Sequence, residues 1–294
     1  MPKITVLNYL SLVKFSHTVF ALPFAIVGYF TAVKMTGAEF EWQLFAKVIL
    51  CMVFASTAAM AFNRYADRNF DKMNPRTFVR EIPAGVISAN AALFFVTINV
   101  VLFITTTWFI NDLCFYLSPV AMLVILGYSL TKRFTALCHF VLGIGLSLAP
   151  IGAFLAVSGY FHIVPALFSL AILFWVGGFD IIYALQDDDF DKSQKLRSIP
   201  VILGRSGALK LSRVIHIVSS FILILPGILM GSSNFYFAGW AVFSGLLVYQ
   251  HSLVKSNDLS KVNLAFFTTN GIASVTFLSF YLFYYFSWKN FFFR

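Results

Sequence analysis

The stretch AFNRYADRNFDKMNPRTFVREIPAG, Ala61 to Gly85, closes an apolar run and sets Asn63, Asp67 and Asp71 four residues apart. Residues at i and i+4 share one helix face, with Cβ atoms about 5–6 Å apart. The three side chains form a stripe of oxygen ligands, and its like charges repel unless a cation sits among them. Arg76 and Arg80 follow on the same stretch. A second segment, GGFDIIYALQDDDFDKSQKLRSIP, Gly177 to Pro200, repeats the spacing with Asp187 and Asp191. Tyr183 precedes this pair by one turn, and Asp180 lies seven residues before Asp187 on nearly the same face. In a regular helix Asp188 and Asp189 point elsewhere.

The surrounding sequence says where these stripes lie. Of 294 residues, 60% are hydrophobic and 11% charged, against about 25% charged in an average soluble chain. Apolar runs long enough to cross a bilayer, roughly 20 residues each, recur along the chain. The expected fold is all-α: a polytopic membrane protein of about nine transmembrane helices, forming one domain over 1–294. The spans fall at 9–33, 43–65, 88–110, 113–131, 135–157, 162–185, 212–231, 235–254 and 263–287. Pro23, Pro150 and Pro226 lie inside spans, where neighbouring helices re-satisfy the backbone. The first run is long and lacks a small-residue cleavage site, so it reads as a span and not as a removable signal.

Charge is distributed unevenly across the loops. Only Lys34, Lys47, Lys289 and Arg294, of 21 Lys and Arg residues, fall on one side; the other 17 fall on the side that carries both acidic stripes. The positive-inside rule places the N-terminus in the cytoplasm and the C-terminus outside, in a plasma or bacterial inner membrane. The net charge of +9 reads as topology signalling and contact with anionic lipid, not as nucleic-acid binding. No obligate protein partner is evident. Two cytoplasmic loops, near 66–87 and 186–211, are long for this chain; each directly follows an acidic stripe, and long loops in compact proteins tend to be functional.

Two carboxylate stripes at one interface suggest a divalent cation. Oxygen-only ligands favour Mg²⁺ over zinc or copper. Mg²⁺ takes one or two carboxylates together with substrate phosphates in preference to an all-protein cage. A phosphorylated substrate bridged by metal is therefore expected. Arg68, Lys72, Arg76, Arg80, Lys192, Lys195 and Arg197 stand nearby, and arginine suits bidentate phosphate contacts. A single D-x-x-x-D at a helix end is commonly a solvated face; duplication, with a basic loop after each copy, carries the functional reading. Cys51, Cys114 and Cys138 form no C-x-x-C pair and read as small core residues. The five histidines form no H-x-x-x-H pair, which argues against a metal role. Ser198 and Thr77 read as turn or cap residues, and the G-R-S-G at 204–207 reads as a loop. Asp180 fits an ion path, a structural carboxylate or a support for Tyr183.

Together, NRYADRNFD, NPRTFVREIPAG, YSLTK with Arg133, and YALQDDDFDKSQKLRSIP resemble the UbiA superfamily of intramembrane prenyltransferases over nearly the whole chain. Arg64 stands where the family often has an aspartate. That feature, with NPRT…REIPAG and HTVFALPFA from His17, resembles the 4-hydroxybenzoate branch and its menaquinone-pathway relatives. The resemblance implies a helical bundle around a central cavity, with Asn63, Asp67, Asp71, Asp187 and Asp191 binding Mg²⁺ and diphosphate. It places Tyr128 and Lys132, as a Y-x-x-x-K element, near the diphosphate, with Arg76 and Arg197 as phosphate contacts. Lys14 would meet an acceptor carboxylate, or snorkel to the interface. The implied reaction moves a polyprenyl chain from its diphosphate to a hydroxylated aromatic acid such as 4-hydroxybenzoate, in ubiquinone or menaquinone synthesis. The four aspartates would be catalytic through the metal, and Asp187 or Asp191 would help to deprotonate the phenol. Haem, chlorophyllide and glycerol phosphates are other acceptors in the superfamily. A transporter of anionic lipids is the alternative outside enzymes. The pattern D-G-x-x-A-R…G…D-x-x-x-D of CDP-alcohol phosphotransferases is absent.

Overall fold

The computed structural model describes residues 6–13 and 18–292. Lys14 and His17 lie outside the described residues. Twelve α-helices follow: α1 (Val6–Val13), α2 (Thr18–Thr36), α3 (Trp42–Ala66), α4 (Arg68–Met73), α5 (Ala89–Trp108), α6 (Asp112–Thr131), α7 (Cys138–Ser158), α8 (Ile163–Ala184), α9 (Asp188–Ser193), α10 (Ile199–Leu229), α11 (Asn234–Leu253) and α12 (Asn270–Phe292). A π-helical segment, Leu264–Thr269, opens into α12. Among the described residues, seven helical segments are long and apolar enough to cross a membrane, and Phe20–Thr36 adds a shorter apolar one. With α11, these give nine long segments, matching the all-α polytopic expectation.

Local chemistry sets the helix ends. Ser88 caps α5 by accepting from the Ala91 N–H, and Asn111 caps α6 by accepting from the Cys114 N–H. Such caps satisfy amides left over in the first turn. Ser198 caps α10 through the Val201 N–H, with Pro200 in the first turn. Proline fits there because its missing N–H is not needed. Lys195 takes a left-handed conformation, φ 56°. This lets the Leu196 N–H reach back to the Asp191 carbonyl at 2.9 Å and ends α9, the helix-ending turn usually given to glycine.

Three expectations for the spans and loops need correction. The helix expected over 212–231 begins at Ile199, so much of the 186–211 loop is helical: α9, then the first turns of α10. The G-R-S-G segment lies inside α10, where Gly204 (φ 65°, ψ 170°) kinks the helix. Glycine reads as a loop signal in sequence, but here it supplies one non-helical residue between two helical stretches. The 66–87 loop likewise contains α4.

The nine long segments form a closed ring in chain order: α2, α3, α5, α6, α7, α8, α10, α11, α12 and back to α2. α2 also packs on α7 across the ring. That crossing depends on Gly28, where a Cβ would lie 2.1 Å from the Pro150 carbonyl oxygen. On the side of α8, α10, α11 and α12 the interior is solid with aromatic packing, including Phe24 against Trp175 at 5.4 Å and Trp175 against Phe243 at 5.4 Å. On the side of α3, α5, α6 and α7 a cavity of about 520 Å³ remains. The outer face exposes Phe94, Leu123, Phe221 and Val248, apolar side chains suited to lipid.

Candidate functional site

The cavity is apolar along most of its length. Its walls include Met52, Ala55 and Ala59 of α3, Leu117 and Val124 of α6, and Leu146 and Ala149 of α7. Of the 36 phenylalanines, Phe20, Phe103, Phe161, Phe179 and Phe266 contribute to the lining. One end is polar, bounded by Asn63, Arg64, Arg80, Tyr128, Asp180 and Tyr183. The two acidic motifs converge beside that end.

Asp67 is the residue at which α3 gives way to α4, so the first motif is not one straight helix. Its members still share a face: Asn63 Nδ2 lies 3.4 Å from Asp67 Oδ2. Asp187 similarly precedes α9, which carries Asp191. Lys132, at the end of α6, links the motifs: its Nζ lies 3.9 Å from Asp67 Oδ2 and 3.9 Å from Asp191 Oδ1. Arg133 Nη2 lies 3.6 Å from Asp67 Oδ1. The 74–87 loop folds over the second motif. Asn74 Nδ2 donates to Asp187 Oδ1 at 3.0 Å, and Arg76 Nε donates to the same oxygen at 2.9 Å. Arg76 Nη2 also meets Asp187 Oδ2, while Nη1 donates to the Tyr183 hydroxyl at 3.2 Å. Arg80 Nη1 donates to Asp71 Oδ1 at 2.6 Å.

These contacts divide the carboxylates electrostatically. Burial pushes Asp67 upward from the ordinary aspartate value, and Lys132 offsets only part of this. Burial pushes Asp191 up to about 6 against the pull of Lys132, with Asp187 and Asp67 adding repulsion. Burial acts on Asp187 too, but its bonds to Arg76 and Asn74 outweigh it and hold the carboxyl below the usual range. Burial works against a charged Lys132, and the surrounding aspartates overcome it, so the ammonium is held more firmly than usual.

A divalent cation fits this donor set. Asp67 Oδ1, Asp71 Oδ2 and Asp191 Oδ1 are buried oxygens with no hydrogen-bond partner among the described residues. Such groups are costly to leave unmatched. No group of three or more His, Cys, Asp or Glu side chains among the described residues closes into a metal cage of its own. Oxygen donors that are open but incomplete suit Mg²⁺ completed by phosphate oxygens and water.

The remaining expected residues fall in different places. Tyr128 lines the cavity one turn below Lys132. Arg197 is joined to the site through its backbone, its N–H donating to the Lys132 carbonyl at 2.7 Å. Its guanidinium is exposed and turns to the Phe134 carbonyl at 2.8 Å, securing the α6–α7 connection. Asp188 and Asp189 point away from the cluster to Arg205, Asp188 Oδ2 at 2.6 Å from Nε and Asp189 Oδ2 at 3.0 Å from Nη2. Sequence reasoning missed two neighbours. Asn74 stood in the NPRT segment of the resemblance with no role attached to it. Arg64 is 4% exposed, and its Nε has no partner among the described residues. Its departure from the family pattern was the available signal.

A ring of apolar helices encloses a greasy vault whose polar end lies beside two facing carboxylate motifs. The chain belongs to the UbiA prenyltransferase family, whose profile matches residues 21–291. It is thus a multi-pass membrane prenyltransferase, which sets aside the transporter alternative. It is 29% identical over 244 residues to the 4-hydroxybenzoate octaprenyltransferase of Aliivibrio fischeri, covering 81% of this chain and 83% of that one. The same enzyme of Tolumonas auensis is 30% identical over 221 residues, covering 75% and 77%. The apo structure of a UbiA homologue from Aeropyrum pernix K1 superposes with a TM-score of 0.81 at 28% identity, covering 90% of this chain and 97% of that one. A UbiA homologue from Archaeoglobus fulgidus, bound to DMAPP and Mg²⁺, shares the fold with a TM-score of 0.72 at 22% identity, over 94% and 98% of the chains.

Proposed function

We propose that this enzyme transfers a polyprenyl group from its diphosphate to a hydroxylated aromatic acid, 4-hydroxybenzoate or a close relative, in quinone synthesis. The observation that carries the reading is Lys132 set between Asp67 and Asp191 beside the polar end of an apolar vault. This arrangement fits a diphosphate head at the mouth and a prenyl tail along the cavity. The relatives from Aliivibrio and Tolumonas act on 4-hydroxybenzoate, and the Archaeoglobus homologue binds DMAPP with Mg²⁺. Arg64, buried at the cavity end with an unpartnered Nε, supports an acceptor bearing a carboxylate.

Asn63, Asp67, Asp71, Asp187 and Asp191 would hold Mg²⁺, which would neutralise charge developing on the departing diphosphate. The protein's own residues do the rest. Lys132 supplies a fixed positive charge between the motifs. Arg76 and Arg80 hold the 74–87 loop across the mouth by their bonds to Asp187 and Asp71. A closed mouth excludes water, which would otherwise quench an allylic carbocation. Aromatic lining residues offer π faces to that cation. The distribution of Lys and Arg supports a cytoplasmic mouth, with the N-terminus inside and the C-terminus outside.

The test is incubation of detergent-purified protein with Mg²⁺, geranyl diphosphate and 4-hydroxybenzoate, with mass spectrometry for the prenylated acid. Product that disappears with EDTA, and with Asp67→Asn or Asp187→Asn in folded protein, is expected. Full activity of both variants would remove the motifs from the reaction. Mg²⁺-dependent binding of geranyl diphosphate without product would redirect the search to other acceptors.

A further inference from the structure

Asp180 is the one carboxylate among the described residues that lines the cavity; none of the four motif aspartates does. It lies on α8, one turn before Tyr183 and two turns before Asp187. It sits four residues inside the end of α8 at Ala184, about 6 Å of helix rise into the span. Its side chain is 21% exposed, and the exposure is to the cavity. Oδ2 pairs with Nδ1 of His139 at 2.7 Å, while the His139 side chain is 3% exposed. Among the described residues Oδ1 has no hydrogen bond.

The far side of His139 fixes its proton. The Ile199 N–H donates to Nε2 at 3.3 Å, so Nε2 is the acceptor and Nδ1 carries the hydrogen. His139 therefore donates to Asp180 and aims its free oxygen into the vault. The bond joins α7 to α8, and the Ile199 contact adds the start of α10. Asn63, Arg64, Arg80, Tyr128 and Tyr183 bound the same polar end of the cavity as Asp180. Tyr128 is also within electrostatic reach of Arg64 on α3 and of Asp67.

A carboxylate at this depth answers a need that the motif residues cannot meet. Asp187 is held by Arg76 and Asn74, and Asp71 by Arg80. Asp67 and Asp191 share Lys132, and Asp67 also faces Arg133. An aromatic acceptor seated in the vault would meet Asp180, the carboxylate that lines it. We propose that Asp180 is the catalytic base of the reaction proposed above, taking the phenolic proton of the acceptor, and that His139 is its positioning residue.

The cycle balances. Asp180 takes the proton from the phenol oxygen, and the ring carbon beside that oxygen bonds to C1 of the prenyl group. The C1–O bond breaks, and the diphosphate leaves with the electron pair. The resulting dienone loses its ring proton to the departing diphosphate, the C–H pair re-forms the aromatic ring, and Asp180 returns its proton to the phenol oxygen. The carboxylate is regenerated without an added co-reactant.

This inference rests on the acceptor reading, and its test separates the two. Full-length Asp180→Asn and the wild type are compared with 4-hydroxybenzoate and with 3-fluoro-4-hydroxybenzoate, whose phenol is more acidic. Geranyl diphosphate binding in Mg²⁺ is measured alongside. General-base catalysis contributes about 10²–10⁴-fold, so Asp180→Asn should lose at least about 10²-fold in kcat and keep donor binding. The loss should shrink about ten-fold with the fluorinated acceptor, which ionises more readily. An equal loss with both acceptors assigns Asp180 a structural role and overturns the proposal. His139→Leu gives a second readout that does not depend on Asp180→Asn folding. Loss of the imidazole N–H should move the acid limb of the kcat/KM profile to higher pH, and an unmoved limb overturns the positioning role. If the wild type prenylates no phenolic acid yet binds the donor, the acceptor reading fails and the base falls with it.

Discussion

Replacement of Arg76 by alanine cuts the strongest tie between the 74–87 loop and the second motif. Three side-chain bonds are lost: two to the Asp187 carboxylate and one to the Tyr183 hydroxyl at 3.2 Å. Hydrogen bonds to charged groups are each worth about 1.5–3 kcal/mol, and the paired geometry favours the upper part of that range. Solvent reduces the sum, since the Arg76 side chain is 33% exposed and that of Asp187 18%. A net loss of about 2 kcal/mol follows. Donor binding must then supply the free energy for seating the loop, so the Kd for geranyl diphosphate in Mg²⁺ should rise about 30-fold, at 1.4 kcal/mol per factor of ten. Asp187 also loses the partner that holds its carboxyl low while its burial remains. Its carboxyl should therefore protonate at higher pH than in the wild type, and the acid limb of donor binding should move up. Titration calorimetry between pH 5 and 8 reads both effects. Arg76→Lys keeps the charge but not the fork, and should fall between alanine and wild type. A folded Arg76→Ala protein with Kd within about threefold of wild type, and the same acid limb, would refute the reasoning, because 1.4 kcal/mol already makes a factor of ten.

Asp191, raised to about 6 from 3.8, binds more protons in the folded than in the unfolded state between those values. The metal-free protein should accordingly lose stability as pH rises from about 4 to about 6; melting without Mg²⁺ that shows no such trend would contradict the buried carboxyl. Mg²⁺ affinity should rise over the same interval as the carboxylate forms. Gly28→Ala would place a Cβ 2.1 Å from the Pro150 carbonyl oxygen, a backbone contact that no rotamer change relieves. A loss of about 3 kcal/mol, seen as a lower Tm and less folded protein, is expected, and an unchanged Tm would show that α2 and α7 can separate freely. Arg64→Ala should raise KM for 4-hydroxybenzoate about ten-fold or more and leave donor affinity near wild type. Equal effects on both substrates would take Arg64 away from the acceptor carboxylate.

The acidic motifs were legible because their spacing is local. Asn63, Asp67 and Asp71 lie one turn apart whatever surrounds them, and apolar runs mark spans without reference to partners. Reading helix ends from breaker residues was less secure. Gly204 belongs inside α10 because the helix resumes after one kinked residue, and the sequence cannot distinguish a kink from a loop. Residue types alone also overstate how many bases face the mouth. Arg197 and Arg205 both follow the second acidic motif, yet Arg197 turns to a backbone carbonyl and Arg205 to Asp188 and Asp189, away from the cluster. The direction of a long side chain depends on which acceptor the neighbouring loop presents.

By itself the sequence determined a helical membrane protein with two oxygen-rich motifs beside basic loops, because hydrophobic length and i, i+4 spacing act within one helix. Only the tertiary structure decided what those motifs face. Lys132 reaches Asp67 and Asp191 because α6 ends between the ends of α3 and α8. Arg76 meets Asp187 across 111 positions of chain, and His139 meets Asp180 across 41. The cavity exists because α2 closes on α7 at Gly28 while smaller residues of α3 and α6 leave space opposite. Each of these contacts depends on closing the ring, where burial and long-range packing choose among partners that local spacing leaves equivalent.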